Sequence, residues 1–359
     1  MVYKVIGTMS GSSMDGLDIV FCELEEQGGK WTFDIVAHDC ISFDVFWQKK
    51  LSQLINLSAK ELLLTHTAFG KWMGEAIQLF IEKNKLEHKV HFIASHGHTV
   101  FHEPQLGMTF QMGDGAAIAA KTQLPVITDL RNMDVALGGQ GAPIVPIGEN
   151  LLWSEIKYFL NLGGIANISI HEKDQIGAFD ICAANRILNL LANEKGKAFD
   201  ENGDLARIGK LNQNLLDELN DVDYYQKTFP KSLSNEFGTN EIFSIVQKYN
   251  CSVEDKMKTY VFHICEQISK VLPNENDTQQ ILITGGGAKN NYFIETLKTF
   301  LDKKNIEIQL PEEKIIDNKE ALVMALIGAL RWREEINVLQ SVTGAQKNSV
   351  GGALWMGQN

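Results

Sequence analysis

Three glycine-rich turns along the sequence are built of residue types that can hold a phosphate group or a nucleotide base. The first reads Gly7-Thr8-Met9-Ser10-Gly11-Ser12-Ser13-Met14-Asp15-Gly16-Leu17-Asp18. Glycine lets the backbone approach an anion, and N–H groups with Ser/Thr hydroxyls donate to phosphate oxygens. Asp15 and Asp18 are ligands of the kind that a hydrated magnesium takes through water. No lysine follows in the Walker arrangement, which sets a P-loop aside. The second turn, Asn161-Leu162-Gly163-Gly164-Ile165-Ala166-Asn167, again has its glycines between two strand-like runs. The third, Ile281-Leu282-Ile283-Thr284-Gly285-Gly286-Gly287-Ala288-Lys289-Asn290, offers bare backbone for a planar ring. Neither fits GxGxxG, so a dinucleotide site is disfavoured. Taken singly, each is equally a polar turn that binds nothing.

Two further segments place chemistry at the ends of expected strands, where α/β proteins bind ligands. Ser95-His96-Gly97-His98-Thr99-Val100 carries histidines that could also be ordinary core or surface residues. Ile127-Thr128-Asp129-Leu130-Arg131 ends in an arginine able to clamp a carboxylate through two hydrogen bonds, though a structural salt bridge is the commoner use. Gly138-Gly139-Gln140-Gly141-Ala142-Pro143 reads as a hinge or an inert turn.

The elements that must position these residues follow from periodicity and turn signals. Strands are expected at Val2–Thr8, Leu17–Glu23, Trp31–His38 and Val90–Ser95. One long helix or two abutting ones should cover Ala59–Lys83, with a helix at Gly115–Thr122 and a strand at Pro125–Leu130. The alternation restarts after Pro143 and Pro146, with strands Tyr158–Leu162, Ala166–Ile170 and Gln175–Ile181, then a helix from Ala183 to Glu194. Ile281–Thr284 is a compact strand, a helix begins near Asn291, and Lys319–Glu334 closes the pattern as an amphipathic helix. Both halves thus open on strand–turn–strand units, which implies an α/β fold with two sheets. The boundary falls in the Gly138–Pro146 stretch, giving domains 1–145 and 146–359, with the final helices free to pack back on the first. Two phosphate-type hairpins followed by an adenine-type turn fit the actin-like ATPase (ribonuclease H-like) architecture, two domains with ATP in an interdomain cleft.

A chain of 359 residues with 44% hydrophobic and 22% charged residues is an ordinary globular composition. Its net charge of −12 argues against nucleic acid and anionic membrane as partners. It leaves room for a phosphate ligand held by backbone amides and a divalent cation. Five scattered cysteines without a CxxC pair suit a reducing compartment. The N-terminus reads as a strand rather than a signal peptide, and no apolar run reaches a membrane span, so a cytoplasmic location is expected.

The stretches GTMSGSSMDGLD, SHGHTVFHEP, TFQMGDGAAIA, ITDLRNMDVALGGQGAPIVP, FLNLGGIANIS, GKAFDENGDLA, TGGGAKN and SVTGA run nearly end to end. In them the chain resembles the 1,6-anhydro-N-acetylmuramic acid kinases, bacterial sugar kinases of cell-wall recycling. The resemblance implies a coupled reaction in which water opens the 1,6-anhydro bond while the released 6-oxygen takes a phosphoryl group from ATP with Mg2+. Asp180 would then be the catalytic base. It implies nucleotide contacts at Gly11, Ser12, Ser13, Met14, Asp15, Gly16, Gly163, Gly164, Gly285, Gly286 and Gly287. It places the amino sugar at His96, Thr99, Asp129, Arg131 and Glu320, and implies a homodimer. One motif departs from the family: its Asp-Thr-Gly-Pro-Gly-Asn is Asp180-Ile181-Cys182-Ala183-Ala184-Asn185 here. A conformation that needs glycine would strain Ala183 or Ala184, so either the loop starts a helix or nucleotide handling differs. Another sugar kinase of this fold, or a nucleotide-binding sensor without turnover, remains an alternative.

Overall fold

The computed structural model describes residues 1–11, 16–173, 175–228, 231–233 and 236–357. Ser12, Ser13, Met14 and Asp15, at the heart of the first turn, lie outside the described residues. The strands are β1 (Val2–Ser10), β2 (Gly16–Gln27), β3 (Lys30–Ser42), β4 (Phe92–Glu103), β5 (Met108–Met112), β6 (Val126–Thr128), β7 (Tyr158–Leu162), β8 (Ile165–Glu172), β9 (Gln175–Ala183), β10 (Gln279–Thr284), β11 (Ile306–Gln309) and β12 (Ala353–Trp355).

They form two sheets of one design. In the first, β1, β2 and β3 make an antiparallel meander, β4 joins parallel to β1, and β6 joins parallel to β4. The strand β5 pairs with β4 as a hairpin, and β12 closes the β6 edge. In the second, β7, β8 and β9 form the meander, while β10 and β11 add in parallel beside β7. This strand order is that of the ribonuclease H-like domain of actin-like proteins. The duplication, invisible as a sequence repeat, is plain in the topology. Parallel neighbours need crossovers, and helices supply them: Ala59–Lys83 before β4, Gly115–Thr122 before β6, Val253–Val271 before β10 and Asn291–Leu301 before β11.

Residues Met1–Ser154 with Asn318–Asn359 form one compact unit, and Glu155–Asp317 the other. Against the expected boundary at 145/146, residues 146–154 and the C-terminal segment group with the first unit. The first unit's core joins Ile6, Ile19 and Ile93 of the sheet to Phe69, Met73 and Ile77 of the Ala59–Lys83 helix. That helix is continuous, started by a capping box between Ser58 and Glu61. The second core packs Leu160, Ile168 and Ile283 against Ile187, Leu191, Tyr260 and Ile264. No helix among the described residues is long and apolar enough to cross a membrane.

Two expected boundaries move. β4 does not stop at Ser95 but runs on to Glu103, so His96 and Thr99 lie inside a strand rather than at its end. Gly97 makes this possible: its φ of +74° shifts the register against β1, and a side chain there would strike the Met112 carbonyl at 2.5 Å. The closing helix also begins earlier than Lys319, spanning Glu313–Trp332.

Candidate active site

Asp180 lies on β9, the outer strand of the meander, five residues before the helix Asn185–Asn193 begins. Its Oδ2 accepts the Leu233 N–H at 2.9 Å, its N–H donates to the Lys231 carbonyl, and its carbonyl accepts the Tyr224 hydroxyl. Burial pushes the carboxyl above the usual carboxylate range, and the Leu233 amide pulls weakly the other way. A carboxylate so raised is a better proton acceptor than an exposed aspartate.

None of the residues that replace the family's glycine core takes a positive φ. Ile181, Cys182 and Ala183 complete β9, Ala184 links it to the helix with φ −126°, and all four are buried. Tyr260 donates to the Ala183 carbonyl at 2.8 Å. The loop does not itself become helical: Ala183, expected to open the helix, belongs to β9, and the helix starts at Asn185. Its first amides, of Ala184, Asn185 and Arg186, donate to the carbonyls of Gly163 and Gly164. Asn185 adds a side-chain bond to the Leu162 carbonyl.

The second and third glycine turns therefore meet in one place. Within it the glycines divide by role. A Cβ on Gly285 would lie 2.5 Å from Asn161 Oδ1, and one on Gly287 would lie 2.7 Å from Leu162 Cβ. On Gly163, Gly164 and Gly286 the nearest atom would be 3.5, 3.9 and 3.9 Å away. The first pair let the two turns pack; on the other three a side chain would meet only ordinary contacts.

In the first unit, β4, β6 and the chain after β6 hold a connected polar group. The buried His96 ring donates from Nδ1 to the Gly97 carbonyl at 3.0 Å, which leaves Nε2 to accept from Arg131 Nε at 2.8 Å. Burial, and then the Arg131 charge, lower its pKa to about 3, so the ring is neutral. Burial also brings Arg131 down to about 10, while Glu320 pulls it up, and the guanidinium stays charged at neutral pH. Asp129 sits at φ +56°, bonded to the Thr128 hydroxyl and to Asn132. A non-glycine residue held there is a mark of a constrained site. Thr99 is exposed on β4. Ser10, at the end of β1, bonds His98 Nδ1 at 2.9 Å.

The comparisons decide the family. The family model for anhydro-N-acetylmuramic acid kinase matches residues 3–357. The anhydro-N-acetylmuramic acid kinase of Francisella tularensis subsp. novicida is 32% identical, with 97% of each chain covered. Those of Sulfurimonas denitrificans and Sulfurovum sp. are 30% and 31% identical, each covering 98% of this chain and 98% and 99% of their own. The chain belongs to the anhydro-N-acetylmuramic acid kinase family.

Set against that family, the structure adds residues that motif reading passed over. The Gly138–Pro143 loop has its amides bonded. The amides of Gly138, Gly139, Gln140 and Gly141 bond in turn to the Val135 carbonyl, the Asp134 carbonyl, the Thr343 carbonyl and Asp134 Oδ2. Thr343 lies in the SVTGA motif, so two distant matching stretches of the kinase family are one construction. Lys319, beside Glu320, forms a buried ion pair with Glu149 at 2.8 Å. Gly16 is where β2 crosses β3 closely, a side chain there meeting the Ile41 carbonyl at 2.5 Å.

No group of three or more His, Cys, Asp or Glu residues among the described ones could hold a resident metal. A nucleotide-borne magnesium keeps most of its waters and asks for one or two carboxylates. Asp18, half-buried on β2 opposite Met9, fits that lighter demand; Asp15 lies outside the described residues.

Proposed function

We propose that this protein is an ATP-dependent 1,6-anhydro-N-acetylmuramic acid kinase of peptidoglycan recycling. The family match over residues 3–357 carries this reading, and the environment of Asp180 supports it. Asp180 takes a proton from water as the water oxygen bonds to the anomeric carbon. The C1–O6 bond breaks, and O6 takes the γ-phosphoryl group while the bond to the departing ADP breaks. The product is N-acetylmuramate 6-phosphate, and the proton leaves later from Asp180. One carboxyl oxygen is tied to Leu233, which orients the other toward water.

The open backbone at Gly163, Gly164 and Gly286 receives the nucleotide, with the first turn at the phosphates. When bound, magnesium held by water-bridged Asp15 and Asp18 would neutralise phosphate charge. His96, Thr99, Asp129, Arg131 and Glu320 hold the amino sugar. Arg131 supplies a fixed positive charge, and neutral His96 aims it. The protein works in the cytoplasm, as a homodimer.

ADP release coupled to added 1,6-anhydro-N-acetylmuramic acid tests the proposal. The wild type should turn over, and Asp180→Asn should lose roughly 10²–10⁴-fold in kcat, the range of a positioned general base. Absence of sugar-dependent ADP from folded wild-type protein would overturn the substrate assignment. Normal turnover by Asp180→Asn would remove Asp180 from the base role.

A further inference from the structure

Asp134 has no part in the reaction just described, yet it is 0% exposed. A buried carboxylate is costly unless each oxygen is bonded. Its Oδ1 accepts the Thr343 hydroxyl at 2.7 Å and its Oδ2 accepts the Gly141 N–H at 2.7 Å. Gly141 is gripped at its other end as well, because its carbonyl accepts Arg131 Nη1 at 2.7 Å. Arg131 and Asp134 are three residues apart on one helical turn, the cap and third residue of Asn132–Ala136. The turn, the loop and the two side chains close a ring. The loop packs closely within it: a side chain on Gly139 would lie 2.2 Å from Asp134 Oδ2.

We infer that Asp134, pinned by Thr343, is a positioning residue that fixes the Arg131 guanidinium through the Gly141 carbonyl. Arg131 then has Nε on His96 and one Nη1 hydrogen on Gly141. Its Nη2 edge, which makes no bond among the described residues, is the face offered to the sugar. An arginine side chain loses much rotamer entropy on ordering. Two fixed acceptors, His96 and Gly141, order it before the sugar arrives, which is preorganisation. The inference rests on the proposed role of Arg131 in sugar binding.

The test uses the full chain. Thr343→Val removes the hydroxyl that pins Oδ1 while keeping shape, and Thr343→Ser keeps the hydroxyl. Loss of one buried bond is worth up to roughly tenfold. Thr343→Val should therefore raise the KM for the sugar by about five- to tenfold, leave the KM for ATP unchanged, and be restored by Thr343→Ser. In an Arg131→Gln background it should have no effect on the sugar KM, the coupling expected of residues acting through one another. Equal effects on both KM values, or full additivity with Arg131→Gln, would overturn the inference. Should Thr343→Val not fold, Asp134→Asn, which keeps one acceptor oxygen, replaces it with the same expectations.

A second readout separates this from failure of the sugar assignment. The Arg131 Nε–H resonance in ¹⁵N spectra should be protected from exchange in the wild type and exchange faster in Thr343→Val. If Arg131→Gln leaves the sugar KM unchanged, the assignment fails, and the latch is then judged by that resonance alone. Unaltered protection in Thr343→Val would overturn it.

Discussion

The two sheets share a strand order but differ in how far their central strands run past an apolar stretch. In the first unit β1 and β4 bury Val5, Ile6, Phe92, Ile93 and Ala94, and then run on to bury Thr8, Ser10, Ser95, His96 and His98. In the second, the equivalent β7 and β10 bury Tyr158, Phe159, Leu160, Ile281, Leu282 and Ile283, and turn polar at Asn161 and Thr284, just before the glycines. One unit presents directed side chains, and the other presents bare backbone. A sugar, all hydroxyls, is recognised by hydrogen bonds of fixed direction. A nucleotide tail and base need close main-chain approach. One scaffold thus offers the proposed sugar and nucleotide sites two different surfaces by changing what fills its strands.

The largest effect that sharpens this contrast concerns charge. Lys319 and Glu149 pair at 2.8 Å with side chains 6% and 4% exposed, whereas Lys289 pairs with Glu313 on an exposed surface of the second unit. Breaking a buried pair from one side costs about 3–5 kcal/mol. Lys319→Met should therefore lower the thermal midpoint clearly, and Lys319→Met with Glu149→Leu should regain most of the loss. Lys289→Met should melt with the wild type. Equal melting of the two single variants would show that the first unit does not depend on its buried charges.

The next test divides the glycines of the second unit. Gly285 stands at φ +81° and ψ 165°, a region reserved for glycine. Gly285→Ala should destabilise by about 1–3 kcal/mol from backbone conformation alone, measured by urea unfolding. Gly286→Ala meets nothing nearer than 3.9 Å. It should keep wild-type stability and raise the KM for ATP several-fold, with the sugar KM unmoved. A Gly286→Ala enzyme with an ordinary ATP KM would mean that no nucleotide lies on that backbone.

Much of this was legible in the sequence because it is local. The α/β class, the long helix and the Ile281–Thr284 strand follow from periodicity within short windows. The glycine turns are visible from composition, while Asp180 enters only through the family resemblance. What stayed hidden depends on distant parts of the chain. Nothing near Asp134 announces Thr343, 209 residues on, and nothing near Lys319 announces Glu149. The Gly138–Pro143 loop read as a hinge or an inert turn because glycine signals freedom in isolation, while its amides are bonded to partners that only the fold supplies. His96 read as a strand-end residue because Gly97 looks like a stop, yet at φ +74° it is a bulge within a continuing strand.

The smallest expected effect concerns pH, and it joins activity to stability at Asp180. Burial raises this carboxyl in the folded state, so the native protein binds the proton more tightly than the unfolded chain. By linkage, the favourable contribution of the protonated group is fully present below the unfolded aspartate value. It is lost as pH rises through the folded one. The base, however, acts only when ionised, so kcat/KM should fall as pH drops through that same raised value, above the ordinary aspartate limb. Activity and stability at this residue thus run in opposite directions with pH. Asp180→Asn, which can still accept the Leu233 amide, removes the buried charge. Its thermal midpoint should exceed that of the wild type by more at pH 7.5 than at about pH 4, the ordinary aspartate value, while the acid limb of residual turnover disappears. An identical difference in midpoint at both pH values would mean that Asp180 is ionised without penalty, and that the fold does not tune it.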